Sequence, residues 1–174
     1  MKKEIWGFYP PPIGGISIYC KRLAEKLHAI DESVIMRDFA QSGYESECVM
    51  RVKIRILEFL KLPFVPKRLI HAQFTNFYLL MMLYLFGWKH DIVLTLHNRR
   101  IVLLDGWKRK VVNQLFRRAK YIIYNDPAYT ALLREKYDID SGKIVLLPTY
   151  MAPEQSEVKG LTTELEEFIN KHEY

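Results

Sequence analysis

Two adjacent glycines near the N-terminus are the residues best placed to bind a ligand. Gly14 and Gly15 follow a strand-like segment at 5–9 and precede a helical pattern at 16–29. Such a turn leaves main-chain N–H groups at the helix N-terminus, where they can bind phosphate, and glycine permits positive φ and close approach of a ligand. The segment is neither G-x-G-x-x-G nor a P-loop, so a simple tight turn explains it equally well.

His97 is the second candidate, because an imidazole can donate a hydrogen bond to a sugar hydroxyl or a phosphate and titrates near neutral pH. It follows the apolar run 91–96, which is the clearest predicted buried strand. Parallel α/β sheets bind ligands beyond the carboxyl ends of their strands, which favours a functional His97 over a structural one. The other histidines are interpreted as non-functional: His71 as a core residue, and His28, His90 and His172 as surface residues.

Other catalytic groups are scarce in this sequence. Asp105 and Asp126 are the carboxylates nearest to predicted strand ends, and Asp126 before Pro127 is typical of a helix cap. There is no nucleophile elbow and no H-E-x-x-H motif, and Cys20 and Cys48 lack metal-ligand spacing, which predicts reduced thiols and no metal site. Because no acid–base pair is evident, we expect the chemistry to be shared with a second unit.

Strand-like and helix-like segments alternate along the 174 residues. This order predicts a single α/β domain with a Rossmann-like, mostly parallel sheet and helices on both faces. Strands are predicted at 5–9, 33–40, 69–74, 91–97, 121–124 and 143–147, and helices at 16–29, 49–62, 77–88, 105–119 and 127–137. The carboxyl ends of the strands would share one edge with the candidate residues Gly14, Gly15, His97, Asn98, Asn125 and Asp126.

The longest apolar segment, 77–88, raises the question of a membrane span. It is shorter than the roughly 20 apolar residues that a spanning helix needs. We therefore expect a helix that packs on the sheet.

The charge is basic and unevenly distributed. The chain has 26 Lys and Arg residues against 20 Asp and Glu residues, and the basic residues concentrate in 51–68 and 99–120 while 154–174 is acidic. This asymmetry indicates an anionic partner, whether a membrane surface, a phosphorylated ligand or nucleic acid, although solvated helix faces give the same pattern. Nucleic acid is disfavoured, because no recognised module interleaves stacking aromatic residues with the basic ones.

An ordered set of short motifs covers nearly the whole chain. The segments are Pro11-Pro12-Ile13-Gly14-Gly15-Ile16-Ser17-Ile18-Tyr19, Leu23-Ala24-Glu25-Lys26-Leu27, Leu69-Ile70-His71, Val93-Leu94-Thr95-Leu96-His97-Asn98, Ala119-Lys120-Tyr121-Ile122-Ile123 and Lys143-Ile144-Val145-Leu146-Leu147-Pro148. Each is weak alone, but their order resembles that of the N-terminal, acceptor-side domain of family-4-like retaining glycosyltransferases of the GT-B architecture.

The resemblance implies roles for individual residues. Gly14 and Gly15 would contact the donor diphosphate or the acceptor, together with Tyr19 and Asn98, and His97 would be the catalytic residue beside the donor sugar. Asn125 and Asp126 would lie at the rim of this site. The chain departs from the family at Asn125, where Ser is usual, and at Thr149-Tyr150, where Asn-Gly usually follows the proline.

The resemblance also implies the reaction and the domain arrangement. Such an enzyme moves a sugar from a nucleotide-sugar donor to a saccharide or lipid-linked acceptor, without a further cofactor, in cytoplasmic polysaccharide biosynthesis. Residues 1–152 would form the acceptor-side domain, and 153–174 a linker and interdomain helix leading to a donor-binding domain that nothing in this sequence matches. We expect the isolated chain to be inactive. The alternative is a non-catalytic Rossmann-like module that binds a phosphorylated ligand or a protein partner.

Enzymes of this kind often dock on the cytoplasmic face of the cell membrane, which would make this chain a peripheral membrane protein. The predicted basic amphipathic helix at 49–62 suits anionic lipid, with Arg51, Lys53 and Arg55 as its membrane-facing residues. The same pattern fits a helix on the sheet with solvated basic residues.

Overall fold

The computed structural model describes residues 1–40, 43–74, 76–97, 99–124 and 127–147. Within them the strands are β1 (Lys2–Gly7), β2 (Val34–Asp38), β3 (Val49–Arg51), β4 (Arg68–Ala72), β5 (Asp91–Leu96), β6 (Tyr121–Tyr124) and β7 (Ile144–Leu146). The α-helices are α1 (Gly15–Ile30), α2 (Arg55–Lys61), α3 (Phe77–Phe86), α4 (Gly106–Arg118) and α5 (Pro127–Tyr137). The predicted boundary at 152 and the segment 153–174 lie outside the described residues.

The seven strands form one sheet in the order β3-β2-β1-β4-β5-β6-β7, and every neighbouring pair is parallel. The chain runs outward from β1 to β3 and then returns to place β4 on the other side of β1. This reversal makes a topological switch point, and ligands of open α/β sheets bind at such a point beyond the carboxyl ends of the strands.

Alternating side chains of the strands build two cores on opposite faces of the sheet. On one face Ile5 and Met36 pack with Cys20 and Leu23 of α1. On the other face Trp6 and its neighbours pack with residues of α2, α3, α4 and α5. The predicted α/β domain with helices on both faces is therefore confirmed, and its sheet is fully parallel.

The predicted basic helix at 49–62 is wrong in its first half. Residues 49–51 form the edge strand β3, because Val49 pairs with Met36 of β2 and is buried. Only Arg55–Lys61 is helical. Arg51, Lys53 and Arg55 consequently lie on a strand, in a connecting turn and at a helix start, so they do not form one helical face.

The apolar helix α3 packs on the sheet as predicted. The Asn76 side chain caps it by accepting hydrogen bonds from the Tyr78 and Leu79 amides, and Leu80 and Leu83 are buried against the sheet. In the described part of the chain, no helix combines the length and apolar character that a bilayer crossing requires.

Candidate functional site

The turn between β1 and α1 places Gly14 and Gly15 at the carboxyl edge of the sheet. Gly14 is the N-cap of α1 and has extended backbone geometry, with φ −166° and ψ 164°. Neither glycine has a positive φ, so this turn does not use the left-handed backbone that glycine permits. What the glycines provide is room, because a Cβ on Gly15 would meet no atom within 4 Å and one on Gly14 would meet only the Ser17 hydroxyl, at 3.9 Å.

Ser17 fixes the shape of this turn, and the sequence analysis did not single it out. Its Oγ accepts a hydrogen bond from the Gly14 amide at 3.0 Å and donates to the Pro12 carbonyl at 2.8 Å. A glycine N-cap has no side chain to bond the amides at the start of the helix. The signal that could have identified Ser17 is its place three residues after the N-cap, where capping boxes carry a polar side chain.

A cavity of about 440 Å³ opens above the turn. Its walls are residues 12–17 with Phe8, Ala40 and Arg55. Arg55 supplies a positive charge beside the positive end of the α1 dipole, and both favour an anionic ligand. Arg55 was predicted to face a membrane, but here it lines the cavity.

His97 directly follows β5 and is held by a chain of hydrogen bonds. Its Nε2–H donates to Gln73 Oε1 at 2.8 Å, and Gln73 Nε2 donates to His71 Nε2 at 2.8 Å. Thr95 Oγ1 lies 2.8 Å from the same His71 nitrogen. Gln73 and Thr95 are fully buried, so this chain fixes the orientation of the partly exposed His97 ring and leaves Nδ1 as its unprotonated nitrogen.

Both histidines are neutral at physiological pH. Burial lowers the pKa of His97 to about 4, and burial together with the nearby His97 lowers the pKa of His71 to about 4. A neutral His97 can accept a hydrogen bond from a sugar hydroxyl through Nδ1, but it is a weak base for full proton removal.

Tyr19 connects the two candidate groups. It lies one helical turn after Gly15, and its ring meets the His97 ring edge-on with centroids 5.2 Å apart. Of the predicted site residues, the structure therefore brings together Gly14, Gly15, Tyr19 and His97 along one edge. Neither His97 nor Tyr19 lines the cavity above the glycines, so the pair of rings adjoins the cavity's helix without forming its wall.

Asp38 and Gln73 are site-positioning residues that the sequence analysis missed. The fully buried Asp38 ends β2, and its Oδ1 accepts hydrogen bonds from the Tyr9 and Ala40 amides at 2.9 and 2.8 Å, which anchors the loop ahead of the glycines. Gln73 follows β4 directly. The predicted strands 33–40 and 69–74 enclosed both residues, and the available signal was a polar side chain near the carboxyl end of each strand.

The remaining predicted site residues fall elsewhere or outside the described residues. Asn98, Asn125 and Asp126 are outside them. Asp105 is exposed and pairs with Lys136 at 3.0 Å. Among the described residues, no cluster of His, Cys, Asp or Glu side chains could hold a metal ion.

The surface prediction for His90 is wrong. His90 is only 5% exposed, and its ring joins two segments by accepting a hydrogen bond from the Arg68 amide and donating one to the Leu62 carbonyl.

Cys20 and Cys48 are buried thiols, and burial raises the pKa of Cys20 to about 12, which makes it unreactive.

Comparison with known proteins adds evidence at the level of the fold. No family model and no curated protein matches the sequence. Solved structures of Alr3699/HepE from Anabaena, in complex with UDP and glucose, with UDP, and with UDP-glucose, superpose with TM-scores of 0.63, 0.61 and 0.64 at 12% identity. Each match covers 99% of this chain and 50% of the HepE chain.

The chain has the fold of one half of these proteins. Its seven-stranded parallel sheet with flanking helices is a Rossmann-like half of a GT-B fold. It spans about half the length of the proteins that it matches.

Proposed function

We propose that this chain is the acceptor-side half of a retaining, family-4-like glycosyltransferase that uses a nucleotide-sugar donor. The observation that carries the proposal is the edge shared by the open glycine turn and His97, whose ring contacts Tyr19 one helical turn after Gly15. The similarity to proteins solved with UDP, glucose and UDP-glucose supports the donor class. The motif order described above supports the family and its stereochemistry.

Each group has a distinct task in this proposal. The first amides of α1 and Arg55 bind a phosphate, either of the donor or of a lipid-linked acceptor. The cavity that the glycines leave open accommodates the group attached to that phosphate. His97 orients a sugar hydroxyl, and its Gln73 partner keeps the ring in one tautomer.

The reaction also needs groups that the described residues do not supply. Among the described residues, the carboxyl edge of the sheet shows no acid–base pair, and no second nucleotide-binding unit is present. We therefore infer that a second domain holds the donor and that the isolated chain transfers no sugar. Polysaccharide assembly is the biosynthetic role that this acceptor class favours.

A size series at Gly15 tests the proposal. In Gly15→Ala, Gly15→Leu and Gly15→Phe the added side chain projects into open space, so thermal stability should change little. Affinity for a short-chain polyprenyl phosphate, measured by calorimetry, should fall stepwise, with at least a tenfold loss for Phe. Ser33→Phe, at an exposed residue remote from the turn, is the control. Unchanged affinity across the series would contradict the proposal.

The non-catalytic alternative is favoured by one observation, the cavity beside Arg55 at a helix N-terminus, which could serve a phosphorylated ligand without a second domain. It predicts that His97→Gln leaves phosphate-ligand affinity and specificity unchanged. The glycosyltransferase proposal predicts that His97→Gln weakens discrimination between saccharide acceptors, when measured with the full-length protein.

A further inference from the structure

A second cavity, of about 360 Å³, lies beside the C-terminal half of α1 on the face of the sheet that this helix covers. Small-molecule sites range from roughly 300 to 1,000 Å³, so this volume suits a small ligand. The cavity shares no residue with the one above the glycines. Most of its walls are apolar side chains, namely Ile5, Leu27, Ile30, Val34 and Leu69.

The cavity exists because α1 covers only part of this face. In the described part of the chain, the helical members of the core on this face all belong to α1. Beyond that helix, Leu69 and His71 of β4 and Val93 of β5 keep part of their surface exposed. Parallel sheets are normally covered on both faces, so the boundary between α1 and β4 leaves apolar surface available to a ligand.

The charged residues that line the cavity are already paired. Lys3 and Asp31, which are partly exposed, form an ion pair with each other. The carboxylate of Glu4 binds Arg37 and Arg68 at 3.3 and 2.6 Å, on the opposite face of the sheet from its neighbour in the α1 core. An ionised ligand would lose its water here without gaining a counter-ion, which favours a neutral one.

His71 supplies one polar group to these apolar walls. Its Nε2 accepts a hydrogen bond from Gln73 and lies 2.8 Å from Thr95 Oγ1, so the proton of the neutral ring is on Nδ1. His71 is paired in register with Val93, which places both partners of Nε2 toward the carboxyl edge. The two nitrogens of an imidazole point away from each other, so Nδ1–H points toward the amino ends of the strands, where the cavity lies. Among the described residues, Nδ1 has no hydrogen-bond partner.

We propose that this cavity binds a small neutral ligand with an apolar body and one oxygen that accepts a hydrogen bond from His71 Nδ1–H. Contact with the apolar walls provides most of the affinity. The donor that lacks a partner selects ligands that carry the oxygen, because an apolar ligand would cover it without replacing its bond to water. Alkyl and aryl ketones have this chemistry.

A ligand in this cavity also acts on His97. A hydrogen bond accepted from Nδ1–H makes Nε2 of His71 a stronger acceptor, and the bonds of such a chain polarise one another. The chain runs from His71 through Gln73 to His97, so occupancy strengthens the bond that orients the His97 ring. The cavity is therefore an effector site for the carboxyl edge. Binding does not depend on the proposed function, and only its consequence for sugar transfer rests on that function.

Acetophenone and α-methylstyrene test the site, because they have the same shape and only the ketone carries the oxygen. NMR titration of the 174-residue chain measures both affinities. His71→Phe keeps an aromatic ring and removes the donor. It should weaken acetophenone binding about fivefold, the factor that corresponds to a hydrogen bond of about 1 kcal/mol, and should leave α-methylstyrene binding unchanged.

A cavity-filling variant tests the location independently of His71. Leu69→Phe places a larger side chain in the cavity and should weaken both probes at least tenfold. Leu85→Phe, at a residue of α3 that is 51% exposed, is the size-matched control and should leave both affinities unchanged. Circular dichroism melting checks that each variant is folded.

Imidazole ¹⁵N signals test the connection to His97. Acetophenone should shift Nδ1 of His71 and Nε2 of His97 with one dissociation constant. Saturation at His71 with no response at His97 would overturn the effector role.

Three further results would overturn the ligand site. One is no binding of either probe, and another is an equal loss of both probes in His71→Phe or an unchanged affinity in Leu69→Phe. The third is light scattering that shows a dimer of the wild-type chain and a monomer of Leu69→Phe, because a second copy of the chain would then occupy the cavity.

Discussion

His97 owes its orientation to its hydrogen-bonded neighbours as much as to its place after β5. The buried Gln73 side chain accepts from His97 and donates to His71, so one amide sets the proton position on both rings. A buried amide cannot leave either bond unmade without cost. We therefore regard Gln73 as a positioning residue for His97.

Gln73→Leu should cost about 1–3 kcal/mol of unfolding free energy, because the His97 ring loses its hydrogen-bond acceptor while His71 keeps only its Thr95 partner. It should also mix the tautomers of His97, which ¹⁵N chemical shifts of the imidazole report. Thr95→Val is the control, since it removes only the contact to His71. A single unchanged His97 tautomer in Gln73→Leu would show that Gln73 does not position the ring.

The two histidines also make stability dependent on pH. Because burial lowers the pKa of both His71 and His97 to about 4, the unfolded chain binds protons between pH 6.5 and 4 while the folded chain does not. Unfolding free energy should therefore fall as pH decreases through this range, by up to about 3 kcal/mol per histidine. Urea titrations of His71→Gln with His97→Gln should show a shallower slope, with the remainder due to other groups whose pKa is lowered, such as His90, Asp31 and Asp91. An unchanged slope would contradict the inferred burial.

At the scale of elements, α1 begins without a side-chain cap, and the amides of its first turn stay open. Gly14 already has the extended backbone of an N-cap residue, so an Asp or Asn side chain would fit and bond the first turn. The glycine therefore leaves these amides to solvent or to a ligand. Stability and binding make opposite demands on this position.

Gly14→Asp and Gly14→Asn should each leave α1 slightly more stable, by a few tenths of a kcal/mol. Gly14→Asp should weaken binding of a polyprenyl phosphate much more than Gly14→Asn, because its carboxylate competes with and repels the anion. Calorimetry and thermal melting measure both effects. Equal affinity of the two variants would mean that no anion binds at this helix end.

The sequence predicted most elements but not all of their contacts. Alternation of strand and helix patterns identified β6 and α5 with their observed bounds. It missed β3, because three edge-strand residues run into a basic amphipathic pattern and only pairing with β2 distinguishes them. Gln73 and Asp38 act through partners distant in the chain, and no local pattern reports such bonds.

At the scale of the whole molecule, the fold separates two surfaces. The carboxyl edge of the sheet carries the glycine turn and His97, and the outer side of α2–α4 carries exposed apolar and basic residues. On our proposed function, this edge meets a lipid-linked acceptor and a donor-binding domain.

An NMR titration of the backbone amide and aromatic ring signals with polyprenyl phosphate tests the central claim most directly. Binding should perturb the amides of Gly15, Ile16 and Ser17 together with the rings of Tyr19 and His97, at one common dissociation constant. If ligand binding saturates while these signals stay unchanged, or if the glycine amides and His97 respond with different constants, the shared site does not exist.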